Sequence, residues 1–256
     1  MSNPTIVVVA ALSQEFSVLR NYLQNESVSE EDGIRCYTGD LAGKSVVLVV
    51  SGVGIQNAAR STRFAIRSYS PRMVISIGYA GGLAPEAGPG TIILPTLVRA
   101  SDASAQSQDE AREMAPDAEM LKLARSAASE ARLNPLSGTI LTVPAVVATR
   151  AAKKALYAST GAVAVDMEST AVAAVCREAG VRVVFMRCVT DGADDEIPIN
   201  KEISAAFRGR IRPLPFLFAI VRHPLLALTI WRLFRRAHRA SQALGQLVRA
   251  FCQALP

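Results

Sequence analysis

Residues 5–11 (TIVVVAA) run through seven positions without one charged or strongly polar side chain. A strand with one wet face alternates apolar and polar residues, so this run predicts a strand buried on both faces, inside a sheet covered by helices. Residues 73–77 (MVISI) and 183–189 (VVFMRCV) are largely of the same kind. Between them, residues 55–69, 117–131, 150–157 and the segment after Glu168 carry helical spacing, with Met120, Leu121, Ala124 and Ala128 on one side of the second. Strands alternating with helices over the first 200 residues predict an α/β fold: one domain around a mixed, mostly parallel central sheet flanked by helices. Half of the residues are hydrophobic but only 5% are aromatic, so aliphatic side chains must fill the interior.

Smaller elements fit the same frame. Residues 34–39 and 45–50, separated by DLAGK, predict an antiparallel pair ending at Ser51-Gly52-Val53-Gly54, where glycines and a following helix N-terminus favour a bound anion. Residues 91–94 resume strand character behind Gly88-Pro89-Gly90, residues 139–143 and 146–149 flank Pro144, and residues 101–114 predict a polar surface loop. Phe16, Leu19, Tyr22 and Leu23 recur at helical spacing. Gly78-Tyr79-Ala80-Gly81-Gly82 directly follows a buried strand; it predicts either a pocket wall lined by backbone or a flexible loop.

Four acids stand at the ends of predicted strands. Glu15 follows the first; Asp166 and Glu168 follow residues 163–165; Asp191 follows residues 183–189. Sites in open α/β sheets gather at such ends. Each acid also has a plain structural reading, as a first-turn acid favoured by a helix dipole or as a turn residue.

Composition excludes several chemistries. The four cysteines, Cys36, Cys176, Cys188 and Cys252, show no CxxC spacing and predict reduced, buried thiols. Both histidines lie near the C-terminus, which argues against a His-based metal site or a Ser-His-Asp hydrolase. No basic region precedes the first apolar run, so no signal peptide is predicted. The net charge of +6 is segregated: residues 203–256 hold nine arginines and neither acid nor lysine, leaving 19 basic against 22 acidic residues before them. Such a tail suits a negatively charged surface.

The motifs AALSQEF, SGVGIQNAA, IGYAGGLAPEAGPGTI, VDMES and RCVTDGADD occur in the order found in the purine nucleoside phosphorylase and nucleosidase superfamily. Over residues 5–200 the chain resembles that family, most of all the nucleosidases that cleave adenine from methylthioadenosine and S-adenosylhomocysteine. A narrower similarity, in ATRAAKKALYASTGAVAVDMES and the Arg-rich HPLLALTIWRLFRRAHRA, is to the hopanoid-associated phosphorylases, or adenosylhopane nucleosidases. The resemblance implies a nucleoside phosphorylase-like fold, a homo-oligomer, and neither cofactor nor metal. It implies Asp191 as the acid that protonates N7 of the departing adenine, and Glu15 as the group that positions or deprotonates the attacking water. Glu168 would accept hydrogen bonds from ribose hydroxyls, Met167 would pack on the sugar, and Gly78, Tyr79, Ala80 and Gly81 would line the nucleoside. A desolvated Asp191 is expected to hold its proton, and Glu15 to stay ionised near water.

The chain departs from the family pattern in three places. Tyr79 replaces a small serine, Pro144 stands where an acid is often found, and the Phe that stacks on adenine is missing, so the base is expected to rest on Val146 and Val147. Phosphorolysis needs cations around a dianion. Arg20, Arg60 and Arg63 are not placed as the phosphorolytic relatives would place them, and Glu15 would repel phosphate, so hydrolysis is expected.

Residues 214–234 are apolar but interrupted by Pro215, Arg222-His223-Pro224 and Arg232, which rules out a spanning helix. From Pro224 a helix would align Leu226, Ile230, Leu233, Phe234, Ala237, Leu244, Val248 and Phe251 on one side. Trp231, Arg232, Phe234, Arg235, Arg236 and Arg239 would then meet an anionic membrane. The alternative is that the apolar stripe packs on the body. The division expected is a catalytic domain over residues 1–206 and a basic amphipathic helical tail over residues 207–256. The location expected is the cytoplasm, at the inner face of the membrane. The activity expected is hydrolysis of adenosylhopane to adenine and ribosylhopane. Alternatives are a methylthioadenosine or S-adenosylhomocysteine nucleosidase, a phosphorolytic enzyme, and a noncatalytic binding module; with one Trp and no groove-reading motif, nucleic acid is not an expected partner.

Overall fold

The structure is a computed structural model and describes residues 5–101, 113–197 and 224–256, with side chains in the last segment from residue 234 onward. Eleven strands among the described residues join into one mixed sheet. β1 (Ile6–Ala10) lies parallel between β4 (Lys44–Val50) and β5 (Met73–Gly82). On β4's outer side, β3 (Ile34–Leu41) and then β2 (Gln24–Glu31) continue antiparallel. β5 outruns β1. Along one side it is parallel to β11 (Arg182–Asp191), while its last residues, Gly81 and Gly82, pair antiparallel with Val165 and Ala164 of β10 (Ala164–Asp166). From β10 the sheet runs parallel through β9 (Thr139–Thr142) to β7 (Leu97–Ala100), and β8 (Glu113–Met114) closes that edge. The two-residue strand β6 (Ile92–Ile93) pairs with β11.

The two-sided burial expected for residues 5–11 follows from strand alternation. Ile6, Val8 and Ala10 join Met73, Ile75, Ile77, Val184 and Met186 in one core. Val7 and Val9 face the opposite way with Val74, Val183 and Phe185. The first core is covered by α3 (Ala118–Glu130) and by the C-terminal part of α6 (Pro224–Ala254); the second by α2 (Ile55–Tyr69) and α5 (Ser169–Glu178). α3 begins at Asp117, whose carboxylate accepts the Met120 N–H at 2.9 Å, a capping bond of about 1 kcal/mol. All four cysteines are buried and unpaired, as expected.

Several local expectations give way. Gly78 to Gly82 form the end of β5, not a loop, because β11 and β10 supply hydrogen-bond partners to their backbone. No strand forms over residues 146–149. The spacing of Phe16, Leu19, Tyr22 and Leu23 yields only a 3-10 turn, Ser13–Phe16, and a single turn, α1 (Ser17–Arg20). The exposed β2, QNESVSEE, carries too few apolar residues to be read as a strand. The expected loop over residues 101–114 lies mostly outside the described residues, as do residues 198–223.

The C-terminal half of α6 packs on the body. Ala240, Leu244, Leu247, Val248, Phe251 and Cys252 are buried in the first core, so Leu244, Val248 and Phe251 do not present an apolar face to a membrane. Each large side chain buried this way contributes about 1.5–3 kcal/mol. A polar clasp adds direction: the Tyr79 hydroxyl donates to the Ala237 carbonyl at 3.1 Å and lies 2.7 Å from the Ser241 hydroxyl, and Ser241 donates to the Gln14 carbonyl at 2.6 Å. Tyr79→Phe is expected to cost about 1 kcal/mol, seen as a melting temperature about 2–4 °C lower by calorimetry. An unchanged melting temperature would show that the clasp contributes nothing.

Candidate active site

The site begins from an arginine inside a sheet. On β11, Val183 and Phe185 face α2 and α5, so strand periodicity turns Arg187 the same way, where it is 1% exposed. A guanidinium has five N–H donors, and all five are engaged. Nε donates to Asp166 Oδ2 at 3.0 Å; Nη1 to the Ser76 and Met186 carbonyls at 2.8 and 3.2 Å; Nη2 to Ser76 Oγ at 3.0 Å and Ser169 Oγ at 2.8 Å. Asp166 also accepts from Thr142 Oγ1 at 2.8 Å, from the Ser169 hydroxyl and from the Ser169 N–H at 3.2 Å, which ties the start of α5 to the sheet. Asp166 thus lies just before α5 and accepts from its first N–H, so the structural reading of a carboxylate at a helix N-terminus fits it, with Arg187 as an added partner.

Beside this anchor a small cavity of about 10 Å³ is lined by Glu15, Ser76, Gly78, Glu168 and Arg187, with apolar walls from Val9 to Ala11 and Val172. That is about the room one water needs. Glu15 accepts the Leu12 N–H and the Tyr79 N–H, both at 2.9 Å. A side chain at Gly78 would have its Cβ 3.2 Å from Glu15 Oε1 and 3.6 Å from Arg187 Nε, so glycine there keeps the two groups close to the strand. Glu168 accepts the Gly54 N–H at 2.7 Å, so the group at the start of α2 is the protein's own carboxyl side chain.

Glu15, expected to stay ionised near water, is 4% exposed, and burial raises its proton affinity against the pull of the Leu12 and Tyr79 amides and Arg187. Glu168 is pushed up to about 8, first by burial and then by the charge of Asp166. A carboxyl raised in the folded state contributes stability that is fully present below about pH 4.5 and lost as pH rises toward 8. Glu168→Gln is therefore expected to flatten the fall in melting temperature between pH 5 and 8. An equally steep fall in the variant would place the titration elsewhere.

Asp191 ends β11 against the end of β5: a Cβ on Gly81 would lie 3.2 Å from Asp191 Oδ2. Its Oδ1 accepts from Thr190 Oγ1 at 2.9 Å, and Oδ2 accepts from Lys153 Nζ at 2.5 Å. Burial raises the proton affinity of Asp191, as expected, and Lys153 opposes that rise. Lys153 belongs to α4 (Arg150–Thr160), which Thr149 caps by accepting the Ala152 N–H. Neither Lys153 nor Arg187 was singled out from sequence. A lone arginine in a strand otherwise built of apolar residues was an available signal for Arg187; Lys153 offered none beside its neighbour Lys154.

The remaining predicted residues divide. Met167 and Val147 each pack against the small core that holds Leu141, Val143 and Val165, whereas Val146 is 39% exposed. Gly78 lines the cavity; Tyr79 gives its backbone N–H to Glu15 but turns its ring toward α6; Ala80 is packed in a core with Ala84, Ile140 and Val189. In the tail, Arg236 is an ion-pair partner of Asp195 at 2.9 Å, not part of an outward basic face, while Phe234, Arg235 and Arg239 are exposed. The side chains of Trp231 and Arg232 lie outside the described residues. Arg20, Arg60 and Arg63 point away from the site, to Glu26, the Asp32 carbonyl and Glu178. Among the described residues no helix is long and apolar enough to cross a membrane, and no cluster of His, Cys, Asp or Glu is arranged to hold a metal ion.

A mixed sheet with its acids collected at one set of strand ends is the architecture of an α/β enzyme with a strand-end site. The sequence profile of the Phosphorylase superfamily matches residues 5–211, and the chain belongs to that superfamily. A 5′-methylthioadenosine/S-adenosylhomocysteine nucleosidase of Shewanella halifaxensis (strain HAW-EB4) is 29% identical over 205 residues, spanning 76% of this chain and 89% of the relative. The Neisseria meningitidis nucleosidase of the same name, solved in complex with methylthio-immucillin-A, superposes with a TM-score of 0.79 at 24% identity, covering 98% of this chain and 99% of that one. The corresponding protein of Colwellia psychrerythraea 34H, solved with adenine, gives 0.79 at 21% identity over 99% and 96%. At these identities the two structures speak for the fold alone.

Proposed function

We propose that this chain hydrolyses the N-ribosyl bond of an adenine nucleoside. The observation that carries this reading is the placement of two buried carboxyls on one strand end, Glu15 at the Tyr79 amide and Asp191 beside Gly81. Breaking a ribosyl C–N bond leaves an oxocarbenium-like sugar and a base that departs only when protonated. Asp191 supplies that proton at N7. Glu168 accepts from the ribose hydroxyls, with Met167 against the sugar, and Glu15 holds the incoming water and takes its proton. Acid–base help of this kind is worth ~10²–10⁴-fold per group.

Water is favoured over phosphate on two grounds. The helix N-terminus at Gly54 already holds Glu168, and every donor of Arg187 is committed within the protein. Among the described residues, a dianion would find acidic side chains and no uncommitted cation there.

For the 5′ substituent, the methylthio and homocysteinyl groups draw the most support, because the relatives above bear those substrates in their names. The lipid-linked adenosylhopane reading rests on the arginine-rich tail as a membrane contact, and Arg236, one of its residues, is bound to Asp195. Mass analysis of products from methylthioadenosine, S-adenosylhomocysteine and adenosylhopane, each with and without phosphate, decides both questions. Adenine and a free sugar are expected without phosphate, fastest from the short substituents; release that requires phosphate would overturn hydrolysis, and preference for adenosylhopane would restore the lipid reading.

A further inference from the structure

A helix on a sheet normally buries apolar residues, yet the buried residue of α4 is a lysine. Lys153 is 0% exposed, while the adjacent Lys154 side chain is 62% exposed and pairs with Asp194. An ammonium is buried only at a large desolvation cost unless its charge and all its donors are met. Here they are met: the three N–H groups point to Asp191 Oδ2 at 2.5 Å, the Gly192 carbonyl at 2.8 Å and the Asp195 carbonyl at 3.2 Å. All three acceptors belong to the five-residue turn that carries the acid. Among the described residues, the charged groups beside that turn include an exposed Glu196 that follows it. Asp195 faces Asp191 and is held by the Gly192 N–H and by Arg236 from α6, and Asp194 lies outside with Arg150 and Lys154.

We infer that Lys153 is a positioning residue for the acid step, fixing the Asp191 carboxyl through Oδ2 and stabilising the anion formed when Asp191 gives up its proton. The inference rests on the adenine-nucleoside reading. In the step, the Asp191 O–H bond breaks at Oδ1 and an N7–H bond forms. The C1′–N9 electron pair leaves with the base, and the water oxygen bonds to C1′ while its proton passes to Glu15. Lys153 is not a party to the proton transfer. Asp191, left anionic beside the ammonium, is a stronger acid than its burial alone would allow.

The test is the pH dependence of kcat/KM for adenine release from methylthioadenosine. The rate falls at alkaline pH as Asp191 loses its proton, and removing the neighbouring cation makes that loss harder. Lys153→Met is expected to move the alkaline limb up by about 1–3 pH units and to lower kcat at neutral pH roughly tenfold or more, with KM little changed. In the Asp191→Asn background the same substitution is expected to cause no further loss, because its effect runs through Asp191. A rate that falls equally at every pH with the limb unmoved, or a further tenfold loss in the Asp191→Asn background, would reduce Lys153 to a structural role. Where Lys153→Met does not fold, Lys153→Arg serves: it keeps a cation at the turn, its limb is expected to stay at the wild-type position, and a displaced limb overturns the inference. A wild-type protein that releases no adenine refutes the nucleosidase reading itself, whereas adenine release with an unmoved limb in Lys153→Met refutes only the role of Lys153.

Discussion

Asp191→Asn is expected to lower kcat for adenine release by ~10²–10⁴-fold while the protein remains folded. The amide keeps an oxygen to accept from Lys153 Nζ, so the contact seen at 2.5 Å survives in altered form, but no proton can be handed to the base. The measurement is single-turnover adenine release with circular dichroism as the control for folding. KM should change far less than kcat, since the proton is needed as the bond breaks and not when substrate docks. Turnover within a few-fold of wild type would remove Asp191 from the chemistry.

The second large effect is on stability. Arg187→Met is expected to destabilise the fold by about 3–5 kcal/mol, because it strands the Asp166 carboxylate in the interior. It also leaves Ser76 and Ser169 without the donors that now reach them. Urea unfolding should show a lower midpoint with the slope unchanged. A loss below about 1 kcal/mol would mean that the pair behaves like a solvated surface bridge, at odds with exposures of 2% and 0% for its two side chains. Activity should fall as well, since Arg187 faces Glu15 across the same cavity.

The sheet and its helical cover were readable because continuous apolar runs have one physical solution, and the helix over residues 55–69 falls where its spacing put it. Glu15, Glu168 and Asp191 stood out as candidates because acids at strand ends coincide with family motifs; the structure brings Glu15 and Glu168 to one cavity, which Asp191 does not line. What sequence could not supply was the environment of each carboxyl. The burial of Glu15 was not readable, because α6 and Tyr79 close over the turn that holds it, a contact between residues 158 to 227 positions apart. Lys153 and Lys154 are indistinguishable as letters, and only the docking of α4 decides which one meets Asp191. The tail stripe was ambiguous for a related reason: a membrane and a protein core select the same apolar spacing.

The branching of β5 bears on how such a protein could change its substrate. Its Tyr79 amide fixes one functional carboxyl and its Gly81 abuts the other, two residues and about 6.6–6.8 Å further along. Since β11 clamps this stretch from one side and β10 grips its end from the other, the strand acts as a ruler whose graduations cannot slip. Loops can lengthen, shorten or exchange their side chains to suit a new appendage on the sugar, while the distance between the two carboxyls proposed as proton donor and water holder is inherited unchanged.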